Sequence, residues 1–136
     1  MKQLTKKLLS KRKFYRILFI GTFLFFFGIL GAYFVALGWI HHEANTMAKE
    51  ASAVFQKDKI ESLLAVIDSE NYTLNEKNNA IWALGILKDE RALPRLEELY
   101  KGEECNHEKE LCQYEIKKAI LKIKGESHGS WQASRD

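Results

Sequence analysis

The chain has 136 residues, 46% hydrophobic and 29% charged, with 21 Lys and Arg against 18 Asp and Glu for a net charge of +3. That length allows one small domain beside a membrane segment and no more. A nucleic-acid partner is not expected, because the cations cluster in a short leader and the remainder is acidic.

Residues 1–16 form the leader, with Lys2, Lys6, Lys7, Lys11, Arg12, Lys13 and Arg16 and no acidic residue. The leader carries +7, and the other 14 cations face all 18 carboxylates, leaving −4 on the rest. From Ile17 to Ile40 no side chain is charged. As a helix rising about 1.5 Å per residue, this run reaches about 36 Å, enough for a hydrocarbon core of about 30 Å. A lone span in lipid must be helical, because no other state pairs its backbone amides. Residues 17–40 are therefore read as a transmembrane anchor touching membrane lipid. Phe14 and Tyr15 lie at one edge and Trp39 at the other, where amphipathic rings favour the interface.

A cleaved signal peptide and a buried core helix both fit this run less well. The apolar stretch of a signal peptide is only about 7–15 residues long, and Gly38-Trp39-Ile40 makes a poor cleavage site. A core helix would need more protein around it than this chain provides. The expectation is a single-pass signal-anchor with the N-terminus in the cytoplasm, since cations retained beside a first span hold that end inside. Residues 41–136 would then lie outside the cytoplasm, in the periplasm if the source is a Gram-negative bacterium. Gly28, Ala32 and Ala36 form a small-residue stripe that fits a weak homodimer or a monomeric anchor alike. No ionisable residue lies within the span, which argues against a channel or transporter.

Beyond the span the pattern is helical throughout. Residues 41–57 make a juxtamembrane segment whose Ala44, Met47, Ala48 and Ala51 share a stripe, either continuing the anchor helix or forming a helix of their own. His41 and His42 just beyond the span are read as polar residues ending an anchor rather than as a metal or pH-sensing site. Residues 58–125 form the repeat domain. Asp58 caps a helix carrying Ile60, Leu63, Leu64 and Ile67, and a turn at Ser69–Thr73 follows. A second helix over Asn75–Lys88 carries Ala80, Ile81 and Leu84, and a third carries Leu93, Leu96 and Tyr100 with Pro94 in its first turn. The last helix is expected from about Glu108 to Lys124, closed by Gly125. Residues 126–136 read as a loose polar tail containing Trp131.

The helices repeat. Ile60, Leu63 and Ile67 recur 33 residues later as Leu93, Leu96 and Tyr100, and Ala80, Ile81 and Leu84 recur 39 residues later as Ala119, Ile120 and Ile123. The extra six residues fall in the connection that holds Cys105 and Cys112. The fold class is all-α, a single N-terminal transmembrane helix followed by a short α-hairpin solenoid. The stretch Asn78-Asn79-Ala80-Ile81-Trp82-Ala83-Leu84-Gly85-Ile86-Leu87-Lys88-Asp89-Glu90-Arg91-Ala92-Leu93-Pro94-Arg95-Leu96 resembles a HEAT repeat. It is similar to the short kind found in bacterial and phycobilisome-lyase-like HEAT proteins, with residues 75–100 matching well and 58–68 and 108–124 matching as half-repeats. The resemblance implies a scaffold that binds a protein partner along stacked helix faces. Some members of that family act on bilin chromophores, but the residues here give no separate support for a lyase, and no enzyme activity or cofactor is expected.

Cys105 and Cys112 suit a disulfide in a small domain outside the cytoplasm, stabilising by about 2–3 kcal/mol. The alternatives are a metal site from Cys105, His107 and Cys112, at a spacing unlike the usual structural zinc motifs, and free thiols. Trp82 lies in the second helix as either core or a contact for a partner. Asn71-Tyr72-Thr73 is a glycosylation sequon, meaningful only where the secretory pathway glycosylates. Two function classes follow. One is a membrane-anchored interaction module; the other is an accessory protein using Cys105, His107 and Cys112 for metal binding or thiol exchange.

Overall fold

Five α-helices and one 3₁₀ turn make up the regular structure of the described residues, with no strand among them. The structure is a computed structural model that describes residues 2–102 and 110–126, with side chains at 15–16, 18–102 and 110–126. The fold is all-α. The chain divides into two compact units, Met1–Trp39 and Ile40–Asp136.

The first unit consists of the opening part of α1 (Lys2–Phe55). Every described large apolar side chain from Leu18 to Trp39 is exposed, with Phe19 at 72% and Trp39 at 71%. The polar exception, Thr22, turns its hydroxyl back to donate to the Leu18 carbonyl at 2.8 Å. Such a bond lets a hydroxyl sit in apolar surroundings without an orphan donor. Gly28, Ala32 and Ala36 are exposed, and a Cβ added at Gly28 would meet nothing within 4 Å. Among the described residues this is one helix long and apolar enough to cross a membrane.

In the second unit the same helix changes character. Ala44 and Ala48 are fully buried and Ala51 nearly so, bringing the backbone of α1 against the core. The segment that begins at residue 41 thus continues the helix, which ends where Gln56 turns into the left-handed region at φ 53°. Asp58 then starts α2 (Lys59–Asp68) by accepting the Ile60 N–H at 2.8 Å and the Glu61 N–H at 3.4 Å. Thr73 starts α3 (Leu74–Leu87) through a reciprocal cap. Its hydroxyl oxygen accepts the Glu76 N–H at 3.3 Å, and Glu76 accepts the Thr73 N–H at 2.7 Å. Lys88 ends α3 in the left-handed conformation at φ 53°. Asp89 caps a 3₁₀ turn (Glu90–Ala92), which leads into α4 (Leu93–Leu99) with Pro94 in its first turn. Finally α5 (Gln113–Lys124) stops at Gly125, whose φ of 70° suits glycine.

Helices α2 and α3 pack as one hairpin, α4 and α5 as a second, and α3 lies alongside α5. Leu63, Ile81, Leu84, Leu96, Ile116 and Ile120 are the largest apolar side chains fully buried in the shared core. Of the positions that repeat in sequence, Ile60, Leu63, Ile67, Ala80, Ile81, Leu84, Leu96, Ala119, Ile120 and Ile123 are buried, while Leu93 and Tyr100 are partly so. Close approach of α3 and α5 depends on Gly85. A Cβ there would come within 2.8 Å of the Ala119 Cα and 3.1 Å of its Cβ.

One boundary differs from the sequence expectation. The last helix begins at Gln113 rather than near Glu108, and Glu110–Cys112 are not helical. Contacts distant in sequence set that start. The Cys112 N–H donates to Asn78 Oδ1 on α3 at 2.9 Å. Gln113, only 3% exposed, accepts the Lys101 N–H at 2.8 Å and donates to the Leu99 and Leu111 carbonyls. A buried amide satisfied on both ends stabilises this geometry, whereas an unpaired one would cost about 1–3 kcal/mol.

Exposed ion pairs join successive repeats. Arg91 bridges Asp58 at 3.0 Å and Asp89 at 2.9 Å, and Arg95 bridges Asp68 and Glu98 at 2.6 Å each. Partly exposed pairs of this kind contribute about 0–1 kcal/mol apiece. They set register more than stability.

Candidate functional site

Helices α1, α3 and α5 leave a groove of about 480 Å³ within the second unit. Its lining includes Glu43 and Met47 from α1, Asn75, Asn78, Asn79 and Trp82 from α3, Cys112 just before α5, and Glu115 from α5. The local reason is periodicity. Asn75, Asn78, Asn79 and Trp82 fall at i, i+3, i+4 and i+7, so they share one face of α3 while Ala80, Ile81 and Leu84 fill the core. Trp82 is partly buried and packs against the core, leaving one side on the groove. An aromatic ring backed by core and edged by amides presents apolar area with polar groups beside it, the composition of a protein-binding patch.

The α5 side is partly charged. Glu115 holds Lys118 one turn along at 2.9 Å, and the Lys118 ammonium lies 5.1 Å from the Tyr114 ring centroid. A further turn along, the Lys122 side chain lies over Gly85, its Cδ 3.7 Å from where a Cβ would be. Burial, and then the charge of Lys118, hold the Lys122 amine below the ordinary lysine range. A second, smaller hollow of about 200 Å³ lies among Met47, Ala51, Val54, Leu63 and Tyr72. Glu50, Glu76 and Asn79 also line it, and the Tyr72 ring lies 6.1 Å from that of Phe55.

Of the residues singled out in sequence, Trp82 and Cys112 come together on this groove. Cys112 is 3% exposed at the start of α5. Cys105 and His107 lie outside the described residues, as does Trp131. Asn71 is exposed in the α2–α3 turn, and its sequon partner Thr73 is engaged as the α3 cap. His41 and His42 are exposed on α1. Ile40 opens the second unit, and the side chain of Ile17 is outside the described set. Sequence reasoning missed the asparagine face and the lysines. The i, i+3, i+4, i+7 spacing of Asn75 to Trp82 is the signal that would have found the first.

Residues 77–102, running from the first turns of α3 through α4, match the model of the PBS lyase HEAT-like repeat. No curated protein and no solved structure matches the chain. The matched segment contains Trp82 and Gly85, so the groove is built on a stretch similar to a HEAT-like repeat.

Proposed function

We propose that the chain is a membrane-tethered, non-enzymatic interaction module. The opening part of α1 lies in a bilayer with its basic leader in the cytoplasm, and the HEAT-like stack holds a protein partner outside the cytoplasm. Trp82 carries this reading, as a large aromatic seated on the core yet open to a groove edged by amides. The exposed apolar surface from Leu18 to Trp39 supports the tether, because a patch of that extent is unstable in water. Leader charge supports the orientation.

A photo-crosslinking residue placed at Trp82 should give one discrete adduct in native membranes. The same residue at Glu61, exposed on α2, should give none. Asn79→Arg, which fills the groove, should remove the adduct. Equal adducts from Trp82 and Glu61 contradict the groove as the docking surface.

Cys105 and Cys112 are proposed to be joined in the mature protein, which would tie the connecting loop to the rim of the groove. Intact mass before and after reduction and alkylation tests this. Two alkylated thiols in oxidised native protein would refute the disulfide, and retained zinc would favour the site formed by Cys105, His107 and Cys112.

A further inference from the structure

Past the groove, α5 and the residue that ends α3 carry a cluster of cations. Neighbouring positions on these two helices are related by 34 residues, as the Asn78–Cys112 hydrogen bond and the Gly85–Ala119 contact show. The same offset relates Lys88 to Lys122. Lys118 lies on the α5 stripe between Glu115 and Lys122. Lys118 is paired with Glu115, but Lys88 and Lys122 have no ion pair among the described residues. The charges of Lys118 and Lys88 both depress the Lys122 amine, Glu115 opposes them, and burial is the largest cause. The 3₁₀ turn and α4 are different, since Arg91 and Arg95 are each bridged by two carboxylates.

Lys88 also occupies a left-handed position, φ 53°, that glycine adopts more easily. A lysine there adds a positive charge beside an ammonium already short of compensation. On the free protein this arrangement is repulsive, and it adjoins the groove through Glu115, which lines the groove and pairs with Lys118 at 2.9 Å. Carboxylates on a partner would relieve the repulsion. The other acidic side chain on the groove, Glu43, comes from α1.

We propose that the groove takes an acidic, extended segment of a partner protein, with an apolar residue against Trp82 and carboxylates reaching Lys88, Lys118 and Lys122. The proposal rests on the groove being the docking surface and adds the chemistry of what docks. Net charge does not supply it, because the chain beyond the anchor carries −4 and would repel an acidic peptide at large. Attraction must come from the local cluster.

The test uses the full chain in zwitterionic nanodiscs and two labelled peptides, one with two leucines followed by six glutamates, the other with glutamines in their place. The glutamate peptide should bind about tenfold more tightly, and added salt should narrow the gap. Lys88→Gly with Lys122→Gln should abolish the preference. Lys88→Gly removes a left-handed non-glycine residue, so loss of folding does not explain that result. Lys59→Gln with Lys101→Gln removes equal charge elsewhere and should leave the preference intact. Trp82→Ala should weaken both peptides. Equal binding of the two peptides, both lost in Trp82→Ala, would overturn the acidic chemistry while leaving the docking surface standing. Binding of neither peptide, or a lysine-dependent preference for anionic-lipid vesicles over the glutamate peptide, would also overturn it. Crosslinking at Trp82 reports on the groove itself independently of all these outcomes.

Discussion

The stretch Leu18–Trp39 and the stretch Ala44–Ile123 are both rich in apolar side chains, yet they place them in opposite ways. In the first, the described apolar side chains point outward on every side. In the second, they are gathered inward at helical spacing, and charged residues cover the outside. The change occurs within the single helix α1, where exposed Trp39 gives way to buried Ala44 and Ala48. Secondary structure alone therefore says little about either region. What separates them is whether each apolar face has a protein face to meet, and among the described residues the first has none.

Substitutions on the two sides should have opposite consequences. Leu84→Ala, at a fully buried site between the hairpins, should cost about 2–5 kcal/mol of domain stability in chemical denaturation. It should leave membrane association unchanged. Phe27→Arg should do the reverse, penalising insertion by about 2.5–3.5 kcal/mol while leaving the domain's denaturation midpoint in place. If either substitution impairs both properties, the two regions are not independent in the way described.

Smaller effects sharpen the picture inside the domain. Gly85→Ala should cost about 1–3 kcal/mol, because the added methyl meets the Ala119 backbone at 2.8 Å. Thr73→Ala removes one side of the α3 cap and should cost about 1 kcal/mol. Ser62→Ala should be neutral or stabilising by up to about 1 kcal/mol, since the Ser62 hydroxyl is fully buried and has no hydrogen-bond partner.

Acid should act on the caps. Asp58 is held below the usual carboxylate range first by the Ile60 N–H, Glu76 by the Thr73 N–H, and Asp89 by the Arg91 side chain. Each folded-state pKa is lowered, so each contribution is complete above the unfolded carboxyl value of about 4. It is lost as pH falls through the lowered folded value. Stability of the domain should be flat near neutrality and decline below about pH 4, and Asp58→Asn should flatten part of that decline.

Much of this was legible in the sequence because it is local. Asp58 before Ile60, Leu63 and Ile67 announces a capped amphipathic helix, and Gly125 after Lys124 announces a stop. The start of α5 was not legible. It depends on Asn78 capturing the Cys112 N–H across 34 positions and on Gln113 accepting from Lys101, contacts that no helical period encodes. The glycine in Ala83-Leu84-Gly85 was recognised as part of a pattern, but its cause is spatial, the backbone of Ala119 on α5. Trp82 could be singled out as core or contact, and the structure shows it partly buried against the core with one side on the groove. Its setting among Asn75, Asn78 and Asn79 needed α1 and α5 in place before it became a groove.

Retention of Leu18–Trp39 in lipid, with the helical stack still attached, is what the proposed tether requires above all. Alkaline carbonate extraction of membranes expressing the full chain, followed by intact mass of both fractions, reads this out in one step. The uncleaved chain should be found in the pellet. A soluble product beginning near His41, or the intact chain in the supernatant, would contradict the tether.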